Sequence, residues 1–173
     1  WMALLNETRS QSDKFDKGLA NQKESDRTHS EVQSWLRDLG LALGYDVWVA
    51  ANDRGRLHEG VPLGSRCLDS LPHAIATAQG SDAIRLIDIL WLEQSTATVA
   101  AAFEVEHSTS IYSGIVRMLD LALSSENLHL STPLFLVAPD AREADVRAQL
   151  RRPAFSRIGD LDISYLPYAE LEQ

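Results

Sequence analysis

The sequence predicts an α/β domain: a mixed central sheet flanked by helices. Three observations carry this. Short, almost wholly apolar runs recur along the chain, and such runs read as buried strands. Between them lie segments whose apolar residues repeat at three- and four-residue steps, the period of a helix packed on one face. The two kinds alternate in the order α-β-β-β-α-β-α-β, which suits layered packing rather than an all-helical or all-sheet fold.

The elements follow in order. Residues 1–28 are polar and charged after Trp1, Met2, Leu4 and Leu5, and read as an arm or linker ahead of a domain over 29–173. Residues 29–43 form an amphipathic helix through Val32, Trp35, Leu36, Leu39 and Leu43, with Thr28 or Ser30 as its cap and Gly44 past its end. A first strand follows over 45–50. Residues 51–80 hold four glycines and two prolines and read as a long connection with a helical turn near 68–78. Residues 83–93 predict a buried strand, and 97–106 its antiparallel neighbour across a turn at 94–96. A second helix spans 110–123 behind a cap at Ser108 or Thr109. A strand over 133–138, a polar helix over 140–151 and a strand over 161–166 complete the chain.

Composition sets bounds. The chain has 173 residues, 45% of them apolar, enough for one ordinary core. No run approaches the roughly 18 apolar residues of a membrane span, and no secretory signal opens the sequence. The single cysteine, Cys67, forms no internal disulfide and fits a reducing cytoplasm. The formal charge of −9 argues against indiscriminate binding to nucleic acid. An acidic metal site would account for several of those charges. The chain begins at Trp1 rather than methionine, so it reads either as a fragment of a longer protein or as a partial sequence, and leaves room for a flanking domain.

The chemistry concentrates in three acids. Asp88 stands between Ile87 and Ile89, and Glu104 and Glu106 sit within AAFEVEH. A carboxylate in apolar surroundings is costly unless it is paired or bound to metal. Residues i and i+2 of a strand project to one face, so Glu104 and Glu106 point together, and the hairpin brings Asp88 beside them. Hard divalent cations answer the mutual repulsion of such a patch. Pairing with arginine answers it equally, with Arg85 and Arg117 as the candidates.

This pattern resembles the PD-(D/E)XK nuclease superfamily, the restriction-endonuclease-like proteins. The resemblance rests on Asp88, on Glu104-Val105-Glu106, and on the phrase FEVEHSTSIYSGIVRMLDL at 103–121, and covers roughly residues 29–166. It implies a restriction-endonuclease-like fold with an α-β-β-β-α-β core. It implies a metal-dependent endodeoxyribonuclease acting in restriction or defence, with Mg²⁺ or Mn²⁺ as cofactor and DNA as partner, often as a homodimer. By the same match Asp88, Glu104 and the Val105 carbonyl are metal ligands, and Glu31 on the first helix stands where a further acid often does. An exposed glutamate favoured by the helix dipole explains Glu31 nearly as well.

One departure matters. Glu106 occupies the position of the motif lysine, and no lysine follows Lys23. Glu106 then serves as general base or extra ligand, or Arg117 supplies the missing positive charge. The alternative is a nuclease-fold module that binds nucleic acid, or serves in assembly, without cutting. His107 should point away from the acids. The polar start of the second helix is suited either to phosphate or to simple capping, and Asn52, Asp53, Arg54 and Arg56 form either a DNA-facing loop or a turn.

Overall fold

A computed structural model describes residues 28–107, 111–124, 132–156 and 163–172. Its frame is a five-stranded mixed sheet: β1 (Asp46–Val49), β4 (Ile89–Leu92), β5 (Val99–Val105), β6 (Leu134–Ala138) and β7 (Ile163–Pro167), in that spatial order. The pairs β1–β4 and β4–β5 are antiparallel, while β5–β6 and β6–β7 are parallel. This is the mixed sheet between helices that the sequence predicts. The expected arm over 1–28 lies almost wholly outside the described residues, as do the caps Ser108 and Thr109.

Helix α1, over 28–42, covers one face. Val32 and Leu36 are fully buried there against Val47, Val49, Ile89, Trp91, Phe103 and Val105. Alternate strand residues reach this layer because side chains alternate across a strand. A row of rings crosses it, with Tyr45 stacked on Trp91, Trp91 tilted against Phe103 and Phe103 stacked on Phe135. The Trp91 indole donates a 3.0 Å hydrogen bond to the Leu36 carbonyl. Gly40 permits that approach, since a Cβ there would overlap the indole, with Cδ1 at 2.7 Å.

The opposite face carries α4 (Ile111–Ser124) and α5 (Glu143–Leu150). Ile111, Ile115, Met118 and Leu121 of α4 and Val146 of α5 pack on Leu90, Leu92, Ala102, Leu134 and Leu136. A short turn of 3-10 helix, Asp140–Arg142, leads into α5, so the polar helix expected over 140–151 is divided at its start.

The long connection after β1 holds the expected helical turn, α2 (His73–Ala76), and in addition a small hairpin, β2 (Leu57–His58) with β3 (Val61–Pro62). One expectation is corrected. The predicted strand over 83–93 is a short helix α3 (Ser81–Ile84), a turn, and only then β4. Ile84 and Ile87 are buried in the α4 layer through that helical turn. An apolar run of this length does not by itself tell a buried strand from a buried helical turn. Asp88 therefore stands one residue ahead of its strand, at the end of the sheet.

Candidate active site

Asp88 lies one step beyond the Ile89–Phe103 pair of the β4–β5 ladder. Its carboxylate Oδ2 accepts a 2.7 Å hydrogen bond from the Val105 amide, so a side chain continues the ladder that the backbone abandons. The N–H and C=O of one strand residue point to the same edge, and the Val105 carbonyl is thus directed to the Asp88 side. The Asp88 backbone carbonyl accepts from the Ala50 amide, fixing the residue between β1 and β5.

The other oxygen, Oδ1, faces α1. Gln33 Nε2 donates to it at 2.9 Å and His29 Nε2 stands at 3.3 Å. The same Gln33 nitrogen donates to Asp53 Oδ2, also at 2.9 Å, and His29 Nε2 lies 3.8 Å from that atom. Asp53 comes from the turn after β1 and is buried. Arg56 approaches its Oδ1 at 2.9 Å as an ion pair, in an orientation that makes no hydrogen bond to that atom. Among the described residues, His29, Asp53 and Asp88 are the group of His, Cys, Asp or Glu side chains whose ligand atoms all lie within 4.8 Å of one another.

Burial pulls the His29 pKa down, but the contacts with the Asp53 and Asp88 carboxylates and their charges outweigh it and raise it to about 10. Asp53 is held below the ordinary carboxylate range: burial pushes it up, and the nearby His29 ring, the bond from Gln33 and the charge of Arg56 overcome that push. A proton shared between imidazole and two carboxylates is where a cation fits, and the donor set of one imidazole nitrogen and two carboxylate oxygens suits a divalent ion. Gln33 Oε1, on the amide that bridges the two aspartates, is buried without a hydrogen-bond partner.

Glu104 and Glu106 face the other layer, toward α4, as their two-residue spacing requires. Both are buried, Glu104 completely. Arg117 of α4 donates from Nε and Nη2 to the two Glu104 oxygens, at 2.8 and 2.5 Å. Burial pushes the Glu104 pKa up while Arg117 opposes the shift, and Arg117 is itself raised, chiefly by this bond. The net effect is a Glu104 pKa raised well above its ordinary value by burial, against which the two-pronged donation from Arg117 favours the charged form. Gly114 lets the helix come this close: a Cβ on it would meet Glu106 Oε1 at 2.8 Å and Glu104 Cβ at 3.2 Å. Beyond the strand, Arg142 donates to the carbonyls of Glu106 and His107.

The family model for the C-terminal domain of the type II restriction enzyme NmeDI matches residues 8–173. The chain belongs to that family. A curated relative, the type II restriction enzyme NmeDI of Neisseria meningitidis serogroup C, is 29% identical over 157 residues, which are 85% of this chain and 42% of the relative. The chain thus spans about two-fifths of the length of that relative. No solved structure matches.

In this NmeDI-family chain the residues singled out from sequence separate into two sets. Asp88 and Val105 meet directly, and Glu104, Glu106 and Arg117 assemble on the α4 side. Glu31 does not join either. His29 and Gln33, four residues apart, share one face of α1, whereas position 31 lies roughly 200° around the helix from position 29. Arg85 pairs with Asp82 on the surface, not with Asp88. His107 stacks on Tyr168, whose hydroxyl pKa is itself raised by burial and by the charges of Asp88 and Glu106. The sequence reading missed His29, Gln33 and the burial of Asp53. A signal for the first two existed: positions 29, 33 and 36 fall on one helical stripe, so two polar residues occupy the face that Leu36 buries.

Proposed function

We propose that this chain is the nuclease domain of a type II restriction endonuclease of the PD-(D/E)XK class, hydrolysing DNA phosphodiester bonds with Mg²⁺ or Mn²⁺. The observation that carries the reading is Asp88, buried at the sheet end and tied by its carboxylate to the amide between Glu104 and Glu106. Family membership and the type II restriction enzyme among its relatives support the same reading.

Under this proposal Asp88, with Glu104 and the Val105 carbonyl, would hold the metal, which would activate water as the nucleophile and polarise the phosphate. Glu106 stands where the class usually has lysine and serves as base for the attacking water or as a further ligand. Arg117 favours the charged form of Glu104 and stands ready to meet a phosphate oxygen when a cation takes over that carboxylate. The whole enzyme acts in the cytoplasm as a homodimer that cuts both strands, with target recognition shared with parts of the longer protein.

The Glu104–Arg117 pair and the missing lysine favour one second reading, a module that kept DNA binding and lost cleavage. Supercoiled plasmid incubated with the chain and Mg²⁺, Mn²⁺ or a chelator decides between them. Metal-dependent nicking or linearisation that Glu104→Ala abolishes supports the nuclease. Intact plasmid with every ion, together with retarded migration of DNA, supports the second reading. Glu106→Lys sharpens the result: retained or increased cleavage means that Glu106 only fills the lysine position, and loss of cleavage means that it is a ligand or base.

A further inference from the structure

We infer that His29 Nε2, Asp53 Oδ2 and Asp88 Oδ1, with the Gln33 side-chain amide, form a divalent-cation site that takes Mn²⁺ in preference to Mg²⁺. This deepens the nuclease reading and rests on it for the purpose of the ion. It sets the cation on the α1 side of Asp88, with an imidazole and a second aspartate in place of an acid at position 31.

Convergence is the first support. The three ligand atoms come from a helix, from the turn after β1 and from the residue ahead of β4, yet all lie within 4.8 Å of one another. Nothing local in the chain brings them together. The second support is Gln33. Its side chain is fully buried, its nitrogen bridges Asp53 Oδ2 and Asp88 Oδ1, and its oxygen has no partner. A buried carbonyl left without a donor is destabilising. A cation carrying water ligands beside the two aspartates provides the missing donor, and turning the amide about its last bond offers the oxygen itself as a ligand.

The donor set decides the kind of ion. Mg²⁺ favours an all-oxygen octahedron with several retained waters. Imidazole suits first-row transition ions, while carboxylates accept Mn²⁺ readily. One nitrogen among oxygens therefore tilts the site toward Mn²⁺.

The test is calorimetric titration of the chain with Mn²⁺ and Mg²⁺, together with pulsed electron paramagnetic resonance of bound Mn²⁺. The expected result is one Mn²⁺ bound more tightly than Mg²⁺, with modulation from a coordinated nitrogen nucleus. In His29→Gln the nitrogen signal disappears and the preference for Mn²⁺ narrows. In Asp53→Asn, Mn²⁺ affinity falls by at least about tenfold while circular dichroism reports a folded chain. Absence of the nitrogen signal from the unmodified protein overturns the inference without recourse to any variant. Mn²⁺ binding unchanged in Asp53→Asn also overturns it, and leaves Asp88, Glu104 and the Val105 carbonyl as the ligand set. The two proposals fail separately. Nitrogen-ligated Mn²⁺ without plasmid cleavage removes the nuclease reading and keeps the site, whereas cleavage with no nitrogen-ligated ion does the reverse.

Discussion

The two sides of the sheet handle buried acid in opposite ways. On the α4 side, Glu104 is fully buried and its two oxygens are taken by one guanidinium. On the α1 side, Asp53 and Asp88 share a single amide nitrogen and a histidine. In the first arrangement a guanidinium stands where a cation could, and the charges of Asp88 and Glu106 still push against Glu104. The second relies on neutral hydrogen bonds, a titratable ring and a partly exposed arginine, and leaves a buried carbonyl without a donor. The difference teaches where a cation is wanted: burial alone does not mark the spot, but burial without a permanent counter-charge does.

Removing the arginine breaks the comparison most severely. Arg117→Ala leaves Glu104 buried without a partner, and loss of one member of a buried pair costs about 3 kcal/mol or more. The midpoint of urea unfolding at neutral pH should fall accordingly. Arg117→Ala combined with Glu104→Gln should recover most of the loss, and failure to recover would show that Arg117 stabilises through other contacts.

Gly114→Ala comes next. Alanine gains up to about 1 kcal/mol over glycine inside a helix, but the added methyl must displace Glu106 Oε1 and press on the Glu104 Cβ. Overpacking of this kind costs about 1–3 kcal/mol, so a net loss near 1 kcal/mol is expected in the same measurement. A stabilised variant would mean that α4 moves freely over the acids.

The α1 side should respond to pH. His29 is raised to about 10 in the folded chain from an ordinary value of 6.5. Its contribution is fully present below the unfolded value, and it is lost as pH rises through the folded one. In chelator-treated buffer, stability should decline between about pH 7 and 10, and His29→Gln should flatten that decline. Saturating Mn²⁺ should flatten it too, since the ion occupies the ring in its neutral form. An unchanged slope in His29→Gln would assign the decline to other groups.

The smallest effect belongs to Glu31. It lies apart from both acid groups, so Glu31→Ala should change stability by no more than about 0.5 kcal/mol and leave Mn²⁺ titrations as they are. A tenfold loss of Mn²⁺ affinity would return Glu31 to the ligand set.

What the sequence made legible follows the range of the forces involved. The i, i+2 spacing of Glu104 and Glu106 is a property of one strand, and it placed both on one face correctly. The apolar period of 29–43 and of 110–123 is equally local, and both helices appear within a residue or so of the expected bounds. Asp53 was illegible because its burial comes from α1, twenty positions away at Gln33. In sequence it sits in a polar stretch indistinguishable from a solvated turn. The start of β4 was misread because Ile84, Ile87 and Ile89 are all apolar, and only the packing of α4 decides that the first two are reached through a helical turn.

The contact between Trp91 and α1 has a mechanical consequence. The indole grips the helix at the Leu36 carbonyl and against Gly40, near its far end, while His29 and Gln33 project from the near end. Trp91 is therefore a fulcrum and α1 a lever whose arm from Gly40 to His29 is roughly 16 Å, at about 1.5 Å per residue. A tilt of roughly 5° at the fulcrum carries the tip by more than about 1 Å, enough to part His29 from both aspartates. A methyl group added at Gly40 would thus be felt at the imidazole, by way of a ring that touches neither acid.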